Sequence, residues 1–162
     1  MWQQSQRTNV ADAYTYSRFT LVGTFLAPPS DAITKRPAVV VDCVPAEKSP
    51  RGRGTFLDGK LLVGTPLKVI YVEPEEILTG ISYFPKVAVQ FRTDNSKDTE
   101  EKQWSPGSDN TSAIISEHPL KEILRTRTVA ITALDEHGGK IAMQFEMPDP
   151  SIVDQGCHLN GH

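Results

Sequence analysis

An apolar alternation of period two, returning after short intervals, constrains this chain more than any other feature. Val129, Ile131 and Ala133 alternate with Ala130, Thr132 and Leu134, and after Gly138-Gly139 the residues Ile141, Met143 and Phe145 alternate on the way back. Successive side chains of a strand point to opposite faces, so this pattern buries one face of each run, and the glycine pair between them signals a hairpin. The same period runs through Phe19, Leu21, Gly23 and Phe25 up to Pro28-Pro29, and through Val87, Val89 and Phe91. Ala38 to Cys43 predicts a strand apolar on both faces, Leu67 to Val72 another, and Ala113 to Ile115 a short one. Asp58-Gly59, flanked by Thr55-Phe56-Leu57 and Lys60 to Val63, predicts a second tight hairpin, because its residue types accept the positive φ of a type I′ turn. Asp94 to Ser108 is polar and turn-rich around Trp104. It predicts a long hairpin or loop whose one aromatic packs back on the body.

Helical signal is confined to Pro119 to Arg125, where proline suits the first helical position and Leu120, Ile123 and Leu124 follow at helical spacing. With 11 glycines, 12 prolines and 38% hydrophobic residues, the rest of the chain favours turns and short strands. Strands without helical crossovers predict an all-β, mainly antiparallel fold, a β-sandwich or partly open barrel with one short helix. At 162 residues one domain is expected, a size that buries roughly 70% of the surface exposed by the unfolded chain. Its expected parts are a flexible lead-in over 1–17, a β domain over 18–150 and a tail over 151–162 that Cys157 can tether.

A net charge of -3 argues against general nucleic-acid binding, which rests on lysine and arginine neutralising phosphates. No run approaches the roughly 20 apolar residues of a membrane-spanning helix. Met1 to Arg7 lack the apolar core of a secretory signal, which fits either a cytoplasmic protein or a mature segment given a start methionine. In the second case the periplasm or the exterior is expected. Cys43 and Cys157 lack Cys-x-x-Cys spacing; they are either a long-range disulfide or two buried thiols.

Catalytic chemistry has few candidates. His118, His137 and His158 read as loop residues, and neither a Gly-x-Ser-x-Gly elbow nor a cysteine-protease signature accompanies them. A small hydrolase or metal-dependent enzyme would have to draw on these histidines and Cys43. Two metal readings arise. Cys157, His158 and His162 lie close in sequence but are too few for a site, and Asp94, Ser96, Asp98 and Glu100 alternate oxygens like half a calcium loop without its central glycine or distal glutamate. No cofactor is expected. A further alternative is a cytoplasmic domain gripping an anionic ligand through Arg51 and Arg53 of the Lys48–Gly54 loop.

Val87 to Asn95 followed by Trp104-Ser105-Pro106-Gly107-Ser108-Asp109 resembles the strand, Arg-x-Asp, then Trp with Ser and Asp pattern of VasI-like type VI secretion-associated proteins. The surroundings fall in a similar order: Trp2 ahead of the body, Cys43 closing an early strand, a leucine-rich helix at Leu120 to Leu124 before a hairpin, and Cys157 near the end. The resemblance implies an exported, β-rich bacterial envelope protein with a non-enzymatic binding or accessory role toward a protein or envelope component. It makes Arg92, Asp94 and Trp104 the residues to follow. Their structural alternative is an Arg92–Asp94 pair across a hairpin with Trp104 plugging the end of the sandwich.

Overall fold

A computed structural model describes residues 1–11, 13–27, 36–44, 56–73, 83–94 and 98–157. In chain order the elements are β1 (Gln3–Asn9), β2 (Tyr14–Val22), β3 (Thr24–Ala27), β4 (Ala38–Val44), β5 (Phe56–Leu62), β6 (Ile70–Val72), β7 (Phe84–Thr93), β8 (Glu100–Pro106), β9 (Ser112–Ile115), α1 (Glu117–Leu124), β10 (Thr128–Leu134), β11 (Lys140–Glu146) and α2 (Ser151–Gly156). The strands form one antiparallel sheet in the order β1-β2-β4-β5-β9-β8-β7-β10-β11-β3, with β6 paired to β7. Because β2 and β3 are consecutive and separated only by Gly23, the sheet path leaves from and returns to one bent run of chain. The result is the expected all-β fold, curled as a partly open barrel.

Alternation drives this closure. Phe19 and Leu21 of β2, Val39 and Val41 of β4, Leu61 of β5, Val89 and Phe91 of β7, Ile131 of β10, and Met143 and Phe145 of β11 are all buried in a single core. Each such side chain contributes about 1.5–3 kcal/mol when fully buried. The β10–β11 hairpin has the register Val129↔Phe145, Ile131↔Met143 and Ala133↔Ile141, as the sequence pattern requires. No described helix is long and apolar enough to cross a membrane.

Five expectations are corrected. Asp58-Gly59 is not a turn: β5 runs straight through it, with Gly59 paired to Val41 on one side and Ile115 on the other. A Cβ on Gly59 would stand 2.8 Å from Leu120 Cδ2, so the residue is a glycine because α1 lies directly on the strand there. The second correction concerns the lead-in: residues 3–9 and 14–20 pair as a hairpin in unbroken register, and Trp2 before it is buried. Third, the loop alternative for the polar stretch around Trp104 gives way to the hairpin one: β8 returns against β7, with Trp104 facing Val87 and buried. Fourth, Leu67 makes only an isolated bridge to Asp135, and regular pairing begins at Ile70.

The fifth correction is a second helix, α2, within the expected tail. Pro150 precedes it with φ -65°, Asp149 Oδ1 accepts the Ser151 N–H at 2.9 Å, and buried Val153 fixes its inner side. These hydrogen bonds, first from the Ser151 backbone and then from its side chain, hold the Asp149 carboxyl below its ordinary pKa.

The Gly59–Leu120 contact is open to a direct test. Gly59→Val overpacks the seam and should lower stability by about 1–3 kcal/mol. Leu120→Ala alone should cost about 2–5 kcal/mol. Urea denaturation of the double variant should show a loss smaller than the sum, since Leu120→Ala empties the space that valine needs; additive losses would mean that the two residues do not touch.

Candidate functional site

The residues singled out by sequence do not come together. Arg92 is on the outer face of β7, opposite Ala130 of β10, and is exposed. Asp94 follows the end of β7: its N–H donates to Thr128 O and its Oδ1 accepts the Arg127 N–H, both at 3.1 Å. The carboxylate therefore fastens the β7–β10 junction rather than pairing with Arg92 across a hairpin. Trp104 points inward, 2% exposed, with its ring stacked on Phe91 at 6.1 Å between centroids. It is a core residue, as its structural alternative held. Arg51, Arg53, Ser96, His158 and His162 lie outside the described residues.

Cys43 and Cys157 form a disulfide with their Cα atoms 5.4 Å apart. Bonded, Cys43 carries no free thiolate and Cys157 cannot ligate a metal. His118 lies 3.0 Å from Glu122 Oε1 on α1, and His137 lies 3.5 Å from Glu136 Oε1 in the β10–β11 turn; both are largely exposed. Each histidine meets a carboxylate on its own element and no nucleophile, which is an ordinary surface arrangement. Among the described residues no group of three His, Cys, Asp or Glu side chains stands where it could hold a metal ion.

A different site emerges from the outer faces of β8, β7, β10 and β11. They form a trough of about 620 Å³ lined by residues that include Ala88, Gln90, Gln103, Thr132 and Lys140. Strand pairing builds it: Ala88 faces Gln103, Gln90 faces both Glu101 and Thr132, and Leu134 faces Lys140. Ala88 leaves open space where a larger side chain would fill the trough. Gln90 Nε2 donates to Glu101 Oε1 at 2.9 Å, which fixes that amide with its carbonyl oxygen available as an acceptor. The amides of Gln90 and Gln103, the Thr132 hydroxyl and the Lys140 ammonium can hydrogen-bond a polar ligand, and Glu101 is the one carboxylate among the described lining residues. Sequence reading passed over these residues because outward positions of a strand carry no apolar signal. A smaller hollow of about 360 Å³ lies between the β7–β8 end and α1, lined by residues that include Asp98, Glu100, Glu122 and Arg125.

A forked ion pair is also on an outer face. Arg18 of β2 donates from Nε and Nη2 to the two carboxylate oxygens of Asp42 at 2.7 and 2.9 Å, and Asp42 is 5% exposed. This forked bond raises the Arg18 pKa above its ordinary value. Asp58 of β5 is the direct cross-strand partner of Asp42. Burial, reinforced by the Asp42 charge and opposed by Lys60 and Arg18, raises the Asp58 pKa. With both Asp42 oxygens engaged by Arg18, the pair ties β2 to β4, and Asp58 of β5 stands beside it as a like charge. The charge inside the apolar run Ala38 to Cys43 was its one signal in the sequence.

No protein family, curated protein or solved structure matches the chain.

Two measurements check this description. The disulfide spans 114 positions, so replacing both cysteines by alanine should cost about 3–5 kcal/mol; two free thiols in the denatured, unreduced protein would contradict the bond. The second concerns pH. Asp58 binds its proton more tightly folded than unfolded, so its contribution to stability is full below the ordinary carboxylate range and is lost as pH rises through the folded value. Asp58→Asn should therefore stabilise the chain at neutral pH and make little difference near pH ~3. The gain should stay below about 1 kcal/mol, since solvent screens a half-open site. An equal effect at both pH values would show that Asp58 acts otherwise.

Proposed function

We propose that this chain is a non-enzymatic binding module that engages a protein or cell-envelope component through the trough on β8, β7, β10 and β11. The observation that carries the reading is the composition of that trough: amide, hydroxyl and ammonium groups converge there, while among the described residues His118, His137 and the cysteine pair lie elsewhere. Such a lining suits recognition by hydrogen bonding, whereas acid–base or nucleophilic chemistry needs two titratable groups facing one reacting atom. The Cys43–Cys157 bond supports an oxidising compartment. That compartment agrees with the exported, accessory role implied by the resemblance to VasI-like secretion-associated proteins. A rigid β scaffold holds the trough residues at fixed spacing, which lowers the entropy lost on binding.

A photo-crosslinking amino acid at Gln90 or at Thr132, in chain exported to a bacterial periplasm, should give one discrete adduct. The same probe at Lys121 on α1 should give none. Adding Thr132→Arg, which fills the trough, should reduce the Gln90 adduct at least about tenfold, a change of about 1.4 kcal/mol. The reading fails if the trough positions yield no adduct, or if Lys121 yields the same one.

A further inference from the structure

The sheet has three described strands with one open side, and they are not equivalent. β6 has three residues, and β3 has four, with Arg36 donating to Gly23 O and to Thr24 Oγ1 beside it. β1 has seven residues, Gln3 to Asn9, paired to β2 without a register shift, and Gln3 to Thr8 are all exposed. Natural sheets protect such an edge with proline, lysine, a bulge or a covering segment. β1 has no proline, lysine or bulge, and Arg7 is its only charge.

Its setting leaves that edge ready for a further strand. The ladder between β2 and β4 ends at Ser17↔Cys43, while β1 and β2 continue paired to Asn9↔Tyr14. The hairpin thus extends past the β2–β4 ladder as a two-stranded ribbon, with Val10 at its tip 89% exposed. Two strands alone are marginal in water, and a third supplies the missing backbone hydrogen bonds. Buried Trp2 anchors the start of β1, so the edge is held in place before anything binds.

The side chains select the partner. Peptides that add to a sheet edge are usually chosen by alternate side chains entering pockets. Gln3 to Asn9 contain no apolar residue on either face, so the matching strand must also be polar on both faces and nearly uncharged. β1 itself meets that description. Set antiparallel about a two-fold axis at Gln6, two copies place Arg7 opposite Ser5 and Thr8 opposite Gln4, with no like charges face to face. We infer that β1 pairs with β1 of a second copy of this chain, joining two barrels through one continuous sheet. A seven-residue strand buries less than the roughly 800 Å² per partner of a standard interface, so the dimer is weak and dissociates in the micromolar range.

The test uses the full chain with its disulfide intact. Sedimentation velocity from about 5 µM to about 1 mM should show the mass doubling with concentration. Gln4→Lys with Gln6→Lys should raise the dissociation constant at least tenfold, and so should Gln4→Glu with Gln6→Glu on its own or in excess over the other. Mixing the two variants in equal amounts should restore the dimer as a heterodimer, which no loss of folding could do. A chain that stays monomeric throughout, a dimer that both variants leave intact, or an equal mixture that does not associate overturns the inference. So does an edge that takes up only a different protein.

Discussion

The fold depends on the bend at Gly23. One run of chain serves both ends of the sheet path, as β2 beside β4 and as β3 beside β11, and the bend between them brings those ends together. A Cβ at this position would lie 2.5 Å from the Phe145 ring and 2.7 Å from Gln144 O, so backbone must approach backbone where a side chain has no room. The Gly23 N–H donates to Pro37 O, and Gly23 O accepts from Arg36 Nε, both at 2.8 Å, so the polar groups exposed by the bend are satisfied by one short segment. Phe145 packs into the space that glycine leaves and is fully buried. Closure, core filling and hydrogen bonding therefore meet at a single residue.

Much of this was written in the alternation, and the exceptions have physical reasons. The β10–β11 pair, β2 and β7 follow from period two because each has one buried face, whereas β4, buried on both faces, shows as a continuous apolar run. Asp58-Gly59 misled because the same dipeptide satisfies two unrelated demands, a positive φ in a turn and a missing Cβ beneath a helix. Only Leu120, 61 positions later in the chain, distinguishes them. β1 was invisible as a strand, and β8 open between hairpin and loop, for another reason. β1 is exposed on both faces and so carries no apolar period, and β8 turns mainly Trp104 inward. The α2 helix hides behind Pro148 and Pro150 in sequence, although a proline just before a helix is as natural as one that ends a strand.

The candidate site was less legible than the fold, and the cause is the same. The candidate trough is lined by outward residues such as Gln90, Gln103 and Thr132, whose types are those of any solvated strand. What makes them a trough is the register that sets them side by side across β8, β7 and β10. Trp104 and Asp94, which the resemblance singled out, are both occupied by structural work, one in the core and one at the β7–β10 junction. Arg18, Asp42 and Asp58 show the converse, since three charges far apart in sequence become one row only through the pairing of β2, β4 and β5.

Trough and free edge belong to different strands of the sheet. From β1 the path runs through β2, β4, β5 and β9 before it reaches β8, the first strand of the trough. The Cys43–Cys157 bond joins β4, on the β1 side, to the residue after α2, which follows β11 at the trough's far border. It therefore supplements the Gly23 bend in holding the two halves together. Pairing through β1 would leave both troughs of the dimer uncovered and fixed by two rigid barrels. A ligand that repeats, or one displayed many times on a surface, would then meet two sites at once, and the second contact forms at a high effective concentration. Modest affinity in each trough would be enough, which is the regime expected of a shallow site lined by amides and small side chains.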